Sequence, residues 1–301
     1  MTGSGILQQA IDVKKSSKKA ATHFALCNGN KIRYLIDLHG GKRRLSGNIA
    51  TYSRKLGLLM KMINFLPFGV LEVGKLGYFA EARLHPEIER QKETTRTASW
   101  NVIVGTYDEK QKLVLQCFNK SGEAVFVKIG NQITAPEMET EIHFLSEGRL
   151  YQNFDLPVLL GSSMMSEINS FNIQITKEFH GEKVEPVLTD DIIKIYKELS
   201  TEKKEIKGVV YERSHGDFTP WNLKKRNGRY TLFDWEHTGF RSIGYDLMHY
   251  VMTIEIALNG RSLLYAYESG IKKIQRYIPD FKVERDVIIA EYKETIKELK
   301  Y

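Results

Sequence analysis

Two aspartates and one asparagine recur at close spacing in the stretch Ser214-His215-Gly216-Asp217-Phe218-Thr219-Pro220-Trp221-Asn222-Leu223 and its sequel Leu232-Phe233-Asp234-Trp235-Glu236. Asn222 follows Asp217 by five residues and Asp234 follows it by seventeen. All three side chains offer hard oxygen donors. Mg²⁺ takes such donors, commonly one or two carboxylates with several waters and the phosphates of a substrate. The chemistry open to such a set is therefore metal-assisted work on a phosphate or on a polarised water.

The elements that must position these groups can be read around them. A basic turn, Lys224 to Arg229, follows Asn222-Leu223, and Tyr230 to Phe233 then reads as a strand that ends on Asp234. Upstream, Thr189 caps a helix with Ile192, Ile195, Tyr196 and Leu199 on one face, and Val209 to Tyr211 reads as a short strand. Downstream, Asp246 to Leu258, Arg261 to Tyr277 and Val283 to Leu299 read as helices, with Pro279 as a break. Trp100 to Thr106, Leu113 to Phe118 and Ala124 to Ile129 alternate as strands, and Phe171 to Phe179 as another. Lys128 sits within the apolar strand Val125-Phe126-Val127-Lys128-Ile129. A lysine so placed either meets an anion or lies on an edge strand facing water. Thr134-Ala135-Pro136-Glu137 reads as a capping box opening the next helix.

The order His-Gly-Asp-x-x-x-x-Asn followed by hydrophobic-Asp-Trp-Glu resembles the catalytic loop and metal-binding strand of the aminoglycoside phosphotransferase and choline kinase family. That family is the small-molecule branch of the protein-kinase-like fold. The resemblance covers roughly residues 98–255 and implies an α+β, bilobal architecture: an antiparallel-sheet N-lobe, a mainly helical C-lobe and, here, an N-terminal α/β extension. By residue it implies Asp217 as the catalytic base, with Asn222 and Asp234 as ligands of Mg²⁺ on the phosphates of ATP. Lys128 would bind the nucleotide's phosphates, steadied by Glu141, with Glu137 one turn earlier as the rival. Glu178 and His180 fall where a kinase has its adenine-binding hinge. His215 would order the loop, Glu236 is a candidate for a second metal, and Asp246 would brace the loop from below. The segment Gly105 to Lys112, expected over the phosphates, has only one glycine and departs from the kinase Gly-rich pattern.

The chain has 301 residues, 42% of them apolar, enough for one large domain or two. Its net charge of +7 is uneven. Residues 1–90 carry 15 Lys/Arg against 6 Asp/Glu, and the remainder carries 29 against 31. A basic segment of this kind suits an anionic surface. Residues 42–71, with an apolar-faced helix from Asn48 to about Leu66, are therefore expected to contact an anionic membrane or to pack on the main body. No signal peptide, spanning helix or disulfide framework is evident, so a cytoplasmic location is expected, peripheral to the inner membrane face. The basic pI comes with no base-reading motif, which argues against a nucleic-acid partner. The expected divisions are 1–95, a basic extension with a hairpin at Asn28-Gly29-Asn30; 96–181, N-lobe and hinge; and 182–301, C-lobe.

The expected function is ATP- and Mg²⁺-dependent transfer of the γ-phosphate to an alcohol, most readily a saccharide or envelope-glycan hydroxyl. A choline/ethanolamine or aminoglycoside kinase is the alternative, with Trp221 and Trp235 as a candidate aromatic cage. Trp221 and Phe218 are candidate walls of an acceptor pocket. A non-catalytic nucleotide-binding module and a metal-dependent hydrolase are the remaining readings.

Overall fold

A computed structural model describes residues 5–38 and 67–299, except 106, 122, 167, 168 and 180. The chain divides into two compact units, one of residues 1–138 and 158–178 and one of 139–157 and 179–301. The class is α+β, as expected.

The first unit is built on one antiparallel sheet of nine strands. In chain order its elements are α1 (Ile6–Ala10), β1 (Ile11–Lys15), β2 (His23–Asn28), β3 (Lys31–Asp37), α2 (Phe68–Val73), β4 (Gly77–Leu84), α3 (Pro86–Thr94), β5 (Thr97–Val104), β6 (Leu113–Asn119), β7 (Ala124–Gly130) and the start of α4 (Ala135–Ser146). After β8 (Phe154–Asp155), which belongs to the second unit, come β9 (Leu159–Ser163) and β10 (Asn172–Lys177). The sheet order is β1-β4-β2-β3-β5-β6-β7-β10-β9.

Successive side chains of a strand face opposite ways, and here both faces are covered. Ala25, Leu35, Val102, Leu115 and Ile173 join one apolar cluster with Ile6, Leu7 and Ile11. Phe24, Leu26, Ile36, Leu71 and Phe79 form another. Burial on both sides explains why β2 reads as a continuous apolar run rather than an alternation.

One expectation changes here. The boundary near residue 95 falls inside a single sheet, because β3 pairs with β5, Tyr34 opposite Ile103 and Leu35 opposite Val102. The N-terminal stretch, read as polar and basic with Ile6 to Ile11 able to form a helix, is helical at Ile6–Ala10 and carries the short apolar set Ile6, Leu7, Ala10 and Ile11 into the core. Of the segment 42–71 assigned to a membrane, residues 42–66 lie outside the described residues, as does the helix expected from Asn48. Beyond them, Leu71 is fully buried, Phe68 packs on the same cluster and Val70 is exposed. Among the described residues no helix is long and apolar enough to cross a membrane.

The second unit carries two small sheets and most of the helical structure. Its elements are β8, β11 (Glu182–Lys183), α5 (Asp190–Leu199), β12 (Lys203–Ile206), β13 (Val209–Ser214), β14 (Leu223–Arg226), β15 (Arg229–Leu232), β16 (Gly239–Ser242), α6 (Tyr245–Thr253), α7 (Leu263–Gln275) and α8 (Arg285–Leu299). The sheets run β11-β14-β15-β8 and β12-β13-β16. Thr189 caps α5 as expected, accepting from the Ile192 N–H. The hairpin β14–β15 closes on Asn227-Gly228 with φ of 52° and 80°. Two positive φ angles are what a two-residue primed turn needs, and Asn-Gly supplies them cheaply. Between α6 and α7, Ile254–Leu258 is wound as a π-helix.

The capping box at Thr134 takes another form. Asn131 Oδ1 accepts from the Ile133 and Thr134 N–H groups, at 3.0 and 3.2 Å, and the Thr134 hydroxyl donates to the Asn131 carbonyl. Asparagine side chains form such turns readily, and the threonine hydroxyl is used there.

Candidate active site

The stretch from Ser214 to Leu223 leaves β13 and enters β14, and nearly every polar atom along it has a fixed partner. Asp246, in the first turn of α6, reaches under it. Its Oδ1 accepts from Ser214 Oγ at 2.7 Å and from the Gly216 N–H at 3.2 Å, and its Oδ2 accepts from the His215 N–H at 2.8 Å. The acid therefore replaces the water that the loop's donors lose on burial. Gly216 has φ of 87°, and a Cβ there would lie 2.1 Å from the His237 carbonyl oxygen, so no larger residue fits.

His215 is fully buried and joins the two halves of the motif. Its Nδ1 accepts from the Asp217 N–H at 3.2 Å, so Nε2 carries the proton and donates to the Phe233 carbonyl at 3.0 Å. Burial lowers its pKa, against the pull of Asp246 and Asp217, which keeps the ring neutral in that tautomer. A second tie runs from the Phe233 N–H to the Asn222 carbonyl at 3.0 Å. Both ties bring the residue before Asp234 against the loop of Asp217 and Asn222.

Asn222 and Asp217 interlock. Asn222 Nδ2 donates to the Asp217 carbonyl at 2.9 Å and to Asp217 Oδ2 at 2.8 Å. Both amide hydrogens are thus used toward Asp217, which turns the amide oxygen away as an acceptor. Asp217 Oδ1 lies 3.0 Å from Nε2 of His249, on α6. No sequence signal singled out His249, one polar residue on a helix that is buried throughout.

Asp234 adopts the left-handed conformation, φ 71° and ψ 58°. That is uncommon for a residue other than glycine. Trp235 anchors the turn: fully buried, it stacks on Phe144 at 4.2 Å and donates Nε1–H to the Leu232 carbonyl. Its backbone N–H donates to Glu141 Oε1 at 3.3 Å. Carboxylate oxygens of Glu141, Asp234 and Glu236 lie within 4.8 Å of one another. Three carboxylates are hard oxygen donors, a set that suits Mg²⁺ or Ca²⁺.

Of the residues expected to bind the nucleotide, Lys128 and Glu178 fall in the first unit and Glu141 in the second. Lys128 is on β7, opposite Val114 of β6 and Gln174 of β10. The strand is interior, so Lys128 is not on an edge, and it is half-buried. Glu137 is not spare: it accepts from Lys110 at 2.7 Å and from Lys112. Burial alone would raise its carboxyl, but those two ammonium groups hold it below the usual range. The loop read as a phosphate cover thus has two of its lysines tied to α4. The Glu178 N–H donates to the Ala124 carbonyl and its side chain accepts from Gln116, so that hinge donor is committed to the sheet. His180 lies outside the described residues.

Two acceptor-side expectations are corrected. Trp235 cannot form an aromatic cage, since both its faces and its N–H are spent in the core. Phe218 is fully buried against Tyr250 rather than lining a pocket wall.

No protein-family model matches the chain, and no curated protein does. Among solved structures, it is similar to an aminoglycoside-3'-phosphotransferase of type VIII at 12% identity and a TM-score of 0.43, covering 70% of this chain and 98% of that one. It is also similar to an amicoumacin kinase, hAmiN, in complex with AMP-PNP, Ca²⁺ and Ami, at 12% identity and a TM-score of 0.39, covering 69% and 82%. Scores of this size assign no role to any residue.

Proposed function

We propose that the protein is an ATP- and Mg²⁺-dependent phosphotransferase that moves the γ-phosphate to a hydroxyl, on a saccharide-type acceptor. The observation that carries this reading is the interlocked pair Asp217–Asn222, tied through His215 and Phe233 to the turn that presents Asp234.

Asp217 orients the acceptor hydroxyl and takes its proton as the oxygen attacks the γ-phosphorus and the bond from that phosphorus to the β,γ-bridging oxygen breaks, releasing ADP. Asn222 Oδ1 and Asp234 would hold the cation, with Glu236 beside them. Bound there, Mg²⁺ supplies neutralisation of the phosphate charge. Lys128 binds the phosphates, and Glu141, engaged with the Trp235 N–H, is its proposed partner. Catalysis on this scheme is mostly placement and charge neutralisation, with little covalent work for the protein. A choline-type acceptor is disfavoured because Trp235 is unavailable to a cage.

The test is transfer of label from γ-labelled ATP to a panel of saccharides and amino alcohols, resolved by product mass. Asp217→Asn should lose transfer by a factor of about 10²–10⁴, the usual worth of a general base. It should keep the thermal stabilisation given by ATP with Mg²⁺. A normal rate in that variant refutes the assignment, and label transfer by the parent protein refutes a non-catalytic binding module.

A further inference from the structure

The base proposed above is held on both oxygens, and only one of its partners belongs to the loop. Oδ2 is held by Asn222. Oδ1 is held from below by His249, which is 1% exposed and so cannot touch a substrate. The contact continues. His249 Nδ1 lies 3.2 Å from Tyr245 Oη, and Tyr245 Oη lies 2.6 Å from Thr295 Oγ1 on α8. The Thr295 hydroxyl also lies 3.1 Å from the Glu291 carbonyl; its one proton, given to Tyr245 Oη, leaves the phenol O–H for His249 Nδ1. Tyr245 and Thr295 are each 1% exposed. Burial raises the Tyr245 phenol, which therefore stays a neutral donor.

We propose that His249 is a positioning residue for the phosphoryl-transfer step: its Nε2–H fixes Asp217 Oδ1, and Tyr245 and Thr295 fix the ring. The inference rests on Asp217 being the base. The physical reason is rotational. An aspartate carboxylate turns freely about its last bond, a broad and roughly two-fold torsion. One hydrogen bond, from Asn222, leaves a pivot; a second on the other oxygen removes it. The lone pair left for the acceptor hydroxyl then has one direction. A histidine kept in the core only for packing would not need its Nε2 aimed at the carboxylate, nor its other nitrogen closed by a buried phenol.

The chemistry separates two near-isosteric replacements. A glutamine amide nitrogen can occupy the place of Nε2, whereas an asparagine amide reaches only to the place of Nδ1. His249→Asn is therefore expected to lower kcat by about a hundredfold, the effect of a misplaced reacting group. His249→Gln should restore most of that loss. In both, KM for ATP·Mg²⁺ should stay within about twofold, since the histidine touches no nucleotide group. Phosphate release from ATP with water as the acceptor is the assay, with ATP·Mg²⁺-induced melting shifts as the check on folding.

Tyr245→Phe keeps the ring and removes only the phenol oxygen, with an expected kcat loss of about tenfold. Equal kcat in His249→Asn and the parent overturns the proposal. If His249→Asn does not fold, unchanged kcat in Tyr245→Phe overturns it. Asp217→Asn run alongside separates the two ideas. Full turnover there removes the base assignment and this inference with it. An inactive Asp217→Asn beside a fully active His249→Asn removes this inference alone.

Discussion

The nine-stranded sheet and the loop around Asp217 hold together by opposite means. The sheet's interior is apolar on both faces, Leu35 on one and Ile36 on the other, and any side chain of about the right size and shape satisfies it. The loop is a mesh of directed hydrogen bonds: Asp246 serves three donors, His215 joins two segments, and Asn222 spends both amide hydrogens on Asp217. Apolar burial is non-directional and additive. A buried hydrogen-bond mesh is directional, and each missing partner strands another. The first region confers stability; the second converts stability into a fixed geometry.

Substitutions can break that contrast. Asp246→Ala should have the largest effect. The His215 N–H and the Ser214 hydroxyl lose their acceptor at ~1–3 kcal/mol each, while the Gly216 N–H keeps Ser214 Oγ, so a loss of about 4 kcal/mol in denaturant unfolding is expected. Turnover per folded molecule should fall with it, because Gly216 and Asp217 are no longer held. Full activity in a folded Asp246→Ala protein would erase the distinction between the regions. Leu35→Ala should cost about 3 kcal/mol through an unfilled cavity. Its kcat per folded molecule should be unchanged, and a fall in kcat would show that the sheet also sets the site.

The smallest effect belongs to a surface network in the second unit. Arg213 and Arg149 hydrogen-bond Glu202, and these bonds, Arg213's first, hold its carboxyl at about 2. A lowered carboxylate pKa stabilises above the unfolded value near 4.5 and loses that stabilisation as pH falls through about 2. Glu202 is 38% exposed, so Glu202→Gln should cost about 1 kcal/mol or less at neutral pH. The melting temperatures of parent and variant should converge between pH 4.5 and 2. A gap that persists at pH 2 would assign the loss to packing.

The hairpins were legible locally. Asn28-Gly29-Asn30 and the basic turn before Tyr230 carry their turn chemistry in adjacent residues, and strand alternation is a two-residue rule. Asp217, Asn222 and Asp234 could be singled out together, since they sit within one loop and one hairpin. The short helix at Ile6 could be read but not its burial, because five residues are too few to show a period. His249 went unread because nothing about a histidine in an apolar helix reveals which atom it faces.

By itself, then, the order of residue types determined which groups could do chemistry, the turns that present them and the α+β class, because each depends on neighbours a few positions apart. Tertiary structure alone decided what holds them. His249 meets Asp217 across 32 residues, and Glu141 meets the Trp235 N–H across 94. A hydrogen bond depends on a distance and an angle between atoms. Separation along the chain does not encode either one, and only the packing of α4, α6 and α8 on the loop sets them.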